Sequence, residues 1–215
     1  MKSSPEATAL PAVPPLLAVT VHWLAVDKPS GLLSVPGRGP AKADCVWQRL
    51  LASFPDARIV HRLDLETSGV LLFARTAHAQ RALQRAFEAR QIEKRYIALC
   101  HGHVRSDRGE IELPLARDWP RRPRQKLDLW AGKASRTRYE VLERLSNPPR
   151  TRVALSPLTG RSHQLRVHLA ALGHPILGDP LYGIPDGAER LMLHAKRLAF
   201  SLFGQEVTLE SQVPF

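Results

Sequence analysis

The sequence predicts an α+β domain built around a mixed, largely antiparallel central sheet flanked by helices and loops. Three observations point there. Strand-like and helix-like segments are interleaved without a strict β-α alternation. Two strand candidates are separated only by the turn Ser146-Asn147-Pro148-Pro149, as in a hairpin. Hydrophobic residues make up 44% of the 215 positions, enough to bury a sizeable core in one large domain or two small ones.

Taken in order, residues 1–17 read as a flexible tail, because Ser, Pro and Ala dominate and no periodicity appears, and the folded domain is expected over residues 18–215. Val21, Trp23-Leu24 and Val26 predict a strand that the turn Lys28-Pro29-Ser30-Gly31 ends. The stretch Gly31 to Gly39 is a punctuated loop with Arg38 near its tip, and it lacks the Lys-Ser/Thr ending of a phosphate-binding loop. Asp44 is the expected N-cap of a helix running through Phe54, with Val46, Leu50 and Phe54 on one face. The apolar run at 70–74 predicts a strand, and Thr76 opens a helix whose Ala79, Leu83 and Phe87 share a face. A strand is expected around Arg95 to Cys100, then the hairpin strands at 137–145 and 151–155. A helix from Ser162 to Leu172, stopped by Gly173 and Pro175, places Leu165, Leu169 and Leu172 on one face with Arg166 off it. Strands at 197–202 and 206–209, joined by Gly204, close the pattern.

The charge balance narrows the function classes. A formal net charge of +11 suits a chain that meets a polyanion. Eight basic residues against two acidic ones lie between Arg117 and Arg138, with Trp119 and Trp130 among them and Pro120 and Pro123 breaking any helix. Such a loop can grip phosphates and stack on bases. The alternative is a solvated basic loop with its tryptophans turned into the core. The apolar stretch Ala9 to Val26 is interrupted by Pro11, Pro14, Pro15 and His22, so neither a spanning helix nor a signal peptide is expected, and residence in the cytoplasm follows. Cys45 and Cys100, in no metal-ligand spacing, are expected to be reduced and buried.

The residues that carry chemistry centre on His61-Arg62-Leu63-Asp64-Leu65-Glu66 followed by Thr67-Ser68-Gly69. A carboxylate among cations at the mouth of a strand can stay ionised as a nucleophile or base. Those residues alone also fit a surface salt bridge. Arg166 on the late helix is suited to hold a partly buried carboxylate, or to be an ordinary exposed arginine. The histidines have no metal-ligand spacing, the pair Asp64 and Glu66 is ambiguous as a glycosidase pair, and no Gly-x-Ser-x-Gly elbow supports a serine hydrolase.

With these residues in view, the chain resembles the RluA family of RNA pseudouridine synthases over about residues 20–215. The resemblance rests on five signatures in order: His61-Arg62-Leu63-Asp64 with Thr67-Ser68-Gly69; Lys94-x-Tyr96-x-Ala98; Gly160-Arg161-x-His163-Gln164-Leu165-Arg166-x-His168; Gly173-His174-Pro175-Ile176-x-Gly178-Asp179; and Leu193-His194-Ala195. The loops around Gly31 to Arg38 and Asp118 to Lys126 look most like the small RluA subgroup, whose members modify 23S ribosomal RNA and the anticodon stem-loop of certain tRNAs. The resemblance implies the pseudouridine synthase fold, with no separate S4-type RNA-binding module. It implies Asp64 as the essential carboxylate, Arg166 paired with it, and Tyr96 stacked on the uracil and helping to remove the carbon 5 proton. Arg62 would hold or replace the flipped nucleotide, and Leu193 would line the base pocket. His61, Arg38, Arg161 and the loop residues Trp119, Arg121, Arg122, Arg124 and Lys126 are expected to contact RNA. No cofactor, metal, membrane or obligate protein partner is implied, and a monomer is expected.

Overall fold

The structure, a computed structural model, describes residues 12–215; most of the expected tail lies outside them. Its centre is a ten-stranded sheet. Strands β1 (Leu16–Val19) and β2 (Trp23–Lys28) form one edge, followed inward by β4 (Ser68–Ala74), β11 (Leu193–Leu202), β5 (Glu93–His101), β10 (Pro149–Pro157), β9 (Arg136–Ser146) and β6 (Arg108–Glu112). Strand β3 (Arg58–Ile59) pairs with β4, and β12 (Gln205–Glu210) pairs with β11. A separate two-stranded ribbon, β7 (Leu115–Arg117) and β8 (Gln125–Leu127), carries the basic loop at its tip. Helices α1 (Val46–Leu50), α2 (Ala77–Glu88) and α3 (Gln164–Ala171) pack on the sheet. Every pairing is antiparallel except β4 with β11. The expected mixed and largely antiparallel sheet is thus the observed one.

Most boundaries follow from local chemistry. Thr76 caps α2 through its hydroxyl, which accepts the Ala79 N–H at 3.0 Å, while Ala79 and Leu83 are buried against the sheet. The hairpin closes with Ser146 opposite Pro149. Three expectations need correction. The tail boundary at residue 17 falls inside β1, because Leu16 pairs with Val26 across the first hairpin. Helix α1 is short, and Cys45 rather than Asp44 caps it, its sulfur accepting the Gln48 N–H; Asp44 is instead held by Arg49 at 2.7 Å. Helix α3 is not an amphipathic surface helix: Gln164 through Leu169 are all buried and Leu172 is 39% exposed.

That last difference has a physical reason. The start of β9 and the segments around Leu113 and Thr159 lie against α3, and its polar residues are buried because each finds a partner. Gln164 accepts from the Thr159 hydroxyl at 2.6 Å and donates to the Arg136 carbonyl at 3.0 Å, while His168 bridges the Thr137 hydroxyl and the Leu113 carbonyl at 2.9 and 3.0 Å. A helix buried all round has little hydrophobic contrast for a sequence pattern to reveal.

The parallel seam between β4 and β11 is brief, with His194 opposite Ser68 and Ala195 opposite Gly69. Gly69 has φ +110°, and a Cβ there would lie 2.3 Å from the Ala195 carbonyl oxygen. Only glycine lets the two backbones meet at that point. Gly69→Ala is therefore expected to lose at least about 2 kcal/mol of unfolding free energy in urea titration; a loss below about 0.5 kcal/mol, as at a surface position, would contradict the close approach.

Candidate active site

Asp64 lies in the segment between β3 and β4, and the residues around it are fixed by the backbone before they offer any chemistry. Buried Lys28 at the end of β2 donates from its ammonium to the carbonyls of Pro29, Leu32 and Leu65 at 2.9, 2.6 and 2.8 Å. Ser30 donates to the Glu66 carbonyl at 2.7 Å, the Gly31 N–H reaches the Leu65 carbonyl, and Ser34 bonds Leu63 in both directions. The punctuated loop after Lys28 is thus a cradle for the Asp64 segment. Burial pushes the Lys28 pKa down to about 7, against the raising effect of Glu66 and Asp64. Its three carbonyl acceptors favour the ammonium form.

The second wall comes from α3 and the segment after it. Arg166 is 3% exposed and clamps the carboxylate of Asp179, Nε to Oδ2 and Nη2 to Oδ1, both at 2.7 Å. Its remaining nitrogen, Nη1, stands 3.9 Å from Asp64 Oδ2. The expected pairing of Arg166 with Asp64 is present as an ion pair at 3.9 Å without a hydrogen bond, while the bidentate partner of the arginine is Asp179. Burial opposes charge on both partners, but the hydrogen bonds between them win, raising the Arg166 pKa and lowering that of Asp179. His163, which caps α3 in the left-handed region at φ 54°, points Nε2 toward Asp64 Oδ1 at 4.0 Å and bonds the Tyr182 hydroxyl through Nδ1 at 2.7 Å. Tyr182 lies under the Arg166 guanidinium, 5.2 Å from ring centre to carbon.

Between these walls is a cavity of about 600 Å³. Tyr96 from β5 and Leu193 from β11 line it, as do Arg62, Arg161, Lys94 and Phe87. The register brings β5 and β11 together there, with Tyr96 opposite Ala195. Burial, and secondarily Asp64, push the Tyr96 phenol well above its ordinary range, so it is protonated. Asp64, Tyr96, Arg166, Arg62, Arg161 and Leu193 were expected from the sequence as site residues, and the fold gathers all six around one cavity. Lys28, His163, Asp179 and Tyr182 were missed as parts of the site, although His163 and Asp179 stand inside the motifs quoted above.

His61 also lines the cavity, yet its chemistry is turned inward. Its Nε2 accepts the Leu72 N–H at 2.9 Å and its ring stacks on Phe87, so it secures the strand instead of presenting a cation to RNA. Arg38 is exposed and outside the cavity. The basic ribbon stands apart as well. Trp119 is 57% exposed and Trp130 fully so, which decides against tryptophans turned into the core. Arg122 and Arg117 lie over Trp119, Arg121 is held by Asp118 at 2.7 Å, and Lys126 by Asp128 at 3.3 Å. Arg124 is different, because it turns inward to the Leu181 carbonyl and the Tyr182 ring.

Residues 22–171 match the family model described as RNA pseudouridylate synthase. The chain is 52% identical over 183 residues to the dual-specificity RNA pseudouridine synthase RluA of Yersinia pestis, covering 84% of this chain and 88% of that one. It is 47% identical over 199 residues to the protein of that name from Escherichia coli K12, covering 90% of each. The chain belongs to the RluA family of RNA pseudouridine synthases. Solved structures agree: human RNA pseudouridylate synthase domain containing 1 superposes with a TM-score of 0.80 at 32% identity, over 94% of this chain and 84% of that one. Human RNA pseudouridylate synthase domain containing 4 gives 0.76 at 25% identity, over 93% and 88%. The enzyme is an isomerase that converts uridine in RNA to pseudouridine.

In this pseudouridine synthase, no group of three His, Cys, Asp or Glu side chains among the described residues is placed to hold a metal ion. Among the same residues, no helix is long and apolar enough to cross a membrane. Cys45 and Cys100 are free and buried, and burial pushes the Cys100 thiol up to about 12.

The half-buried His61 is expected to make the fold acid-sensitive. Burial, and then the charge of Lys94, hold its pKa at about 3 against an ordinary 6.5. Between those values the unfolded chain binds a proton that the folded chain refuses, so stability falls as pH drops from 6.5 toward 3. His61→Leu should be less stable at pH 7.5, where it orphans the Leu72 N–H. Its unfolding free energy should fall less steeply over that window, by about one proton's worth of slope. Urea titrations at a series of pH values measure both, and an unchanged slope would show that His61 titrates normally.

Proposed function

We propose that this enzyme forms pseudouridine in both 23S ribosomal RNA and a tRNA anticodon stem-loop, with Asp64 as the catalytic carboxylate. The dual specificity is argued from the relatives named above and from loops that match that subgroup. The observation that carries the catalytic assignment is the state of Asp64. It faces the cavity with the Arg166 cation 3.9 Å away, beyond hydrogen-bonding distance, so its oxygens are not tied up by a donor. Such a carboxylate is fit either to attack the ribose C1′ or to remove the C2′ proton, and both routes break the same N-glycosidic bond. The freed uracil turns, carbon 5 bonds to C1′, the carbon 5 proton leaves and N1 is protonated.

The other residues fall into supporting roles. Leu193 and the Tyr96 ring form the apolar faces that keep detached uracil from escaping. Because the phenol is held protonated, Tyr96 offers its ring face and is a poor base for the carbon 5 proton. Arg62, exposed at the rim, is placed to hold the backbone of an extruded nucleotide. The exposed Trp119 with Arg117, Arg121 and Arg122 supplies a stacking and phosphate-binding surface. Lys126 adds charge on the same ribbon, and Arg161 at the cavity and exposed Arg38 are further phosphate contacts on this reading. The enzyme is read as a monomer of the cytoplasm, where ribosomal and transfer RNA are found, needing no cofactor because isomerisation consumes no electrons.

Incubating RNA tritiated at uridine carbon 5 with the enzyme should release tritium to water without free uracil. Free uracil would indicate a base-releasing glycosidase, and neither product with any of the RNAs would indicate an RNA-binding protein. Asp64→Asn should abolish release while RNA affinity stays within roughly threefold, since phosphate contacts dominate binding. Retained turnover in that variant would remove Asp64 from the mechanism.

Pseudouridine mapping of 23S ribosomal RNA and tRNA from cells lacking the enzyme should show a lost site in each class. Loss confined to one class would refute dual specificity.

A further inference from the structure

We propose that His163 and Tyr182 are positioning residues that couple the seating of the basic ribbon to the orientation of Asp64, an inference that rests on Asp64 being the catalytic carboxylate. Two hydrogen bonds and one longer electrostatic approach join the two places. The backbone N–H of Gln125, on ribbon strand β8, donates to the Tyr182 hydroxyl at 2.7 Å. That hydroxyl lies 2.7 Å from His163 Nδ1. On the far side of the ring, His163 Nε2 faces Asp64 Oδ1 at 4.0 Å.

Proton accounting gives the chain a direction. The Tyr182 oxygen already accepts from Gln125, so its own proton is free to be donated, and His163 Nδ1 is the acceptor within reach. Nδ1 is then unprotonated and the ring proton sits on Nε2, aimed at the carboxylate. Burial holds the imidazole pKa below its ordinary range, with Asp64 opposing, which keeps this neutral tautomer in place at neutral pH. The left-handed backbone of His163 costs about 1–2 kcal/mol for a residue with a Cβ. The fold accepts that cost at the one residue of α3's entrance whose ring reaches both Tyr182 and Asp64.

The ribbon end of the chain can respond to RNA. A two-stranded ribbon outside the main sheet is marginally stable by itself, and its exposed tip carries the stacking and basic groups. The same ribbon presses on Tyr182 a second time, through the Arg124 guanidinium 5.8 Å from the ring centre. RNA held at the tip therefore favours the state in which Gln125 and Arg124 are seated on Tyr182, and the seated state is the one that fixes His163.

Single-turnover rates with an anticodon stem-loop RNA and a 23S fragment test this. Tyr182→Phe and His163→Gln should each be about ten- to hundredfold slower, with RNA affinity roughly within threefold and little change in unfolding midpoint. The double variant should be no slower than His163→Gln, because both break one chain. His163→Leu should be slower than His163→Gln, whose amide N–H can replace Nε2. Removing the tip charges with Arg121→Ala and Arg122→Ala should lower both affinity and rate in the wild type, but only affinity in Tyr182→Phe. Wild-type rates, multiplying losses in the double variant, or a tip effect on rate that persists without the Tyr182 hydroxyl would each overturn the coupling. If those results come with an inactive Asp64→Asn, only the coupling fails; an active Asp64→Asn removes the catalytic assignment itself.

Discussion

Arg166 and Asp179 are buried together, and taking two charges out of water costs several kcal/mol each unless the geometry repays it. Here it does, through two parallel 2.7 Å bonds and two further backbone donors, the N–H groups of Leu181 and Tyr182, on Asp179 Oδ1. The same carboxylate therefore fixes the arginine and the turn that carries Tyr182. Because the clamp occupies Nε and Nη2, Nη1 alone looks toward Asp64. A bidentate Arg166 to Asp64 clamp would have tied up the oxygens that the proposed chemistry requires. Displacing the tight pair by one carboxylate leaves Asp64 in a positive field with its lone pairs unspent.

The cavity lies across the seam of the sheet. Asp64 belongs to the β2 and β4 half, held by Lys28 and the cradle loop, whereas Tyr96 and Arg166 belong to the β5, β10 and α3 half. Only the short parallel contact of β4 with β11 joins them at this level, at the point where Gly69 meets Ala195. Small errors at such a seam would be felt directly as distance between Asp64 and Arg166. That accounts for the density of backbone-directed hydrogen bonds around residues 63–66.

What was legible in the sequence was local. Thr76 followed by apolar residues at helical spacing marked α2, and the Asn147-Pro148 turn between alternating runs marked the β9 and β10 hairpin, because capping and turn chemistry act over a few residues. Strands β6, β7 and β8 were not legible, since their largely exposed, charged residues carry little alternation. In the site, the motif residues Asp64, Tyr96 and Arg166 were visible as chemical types. Their pairing was not: Arg166 was read as the partner of Asp64, and the nearer carboxylate, thirteen residues along the chain, emerged only when α3 folded back on the segment after it. Lys28 was read as a turn residue for the same reason, its three acceptors being supplied by a loop and by Leu65.

Separation of charge from chemistry explains the placement of the remaining basic residues. A net charge of +11 draws RNA to the protein over a Debye length of about 8 Å at physiological salt. Spread around Asp64, that charge would compete for its oxygens. The ribbon beyond the cavity carries exposed cations, with Arg117 and Arg122 over the Trp119 ring, while Arg62, Arg161 and Lys94 line the cavity and the buried Arg166 stands 3.9 Å from the carboxylate. On the proposed reading, binding strength and catalytic electrostatics are then set largely by different residues. The cost of that separation is that the two must be connected, and Tyr182, touching the ribbon through Gln125 and Arg124 and the site through His163 and Arg166, occupies the place where they meet.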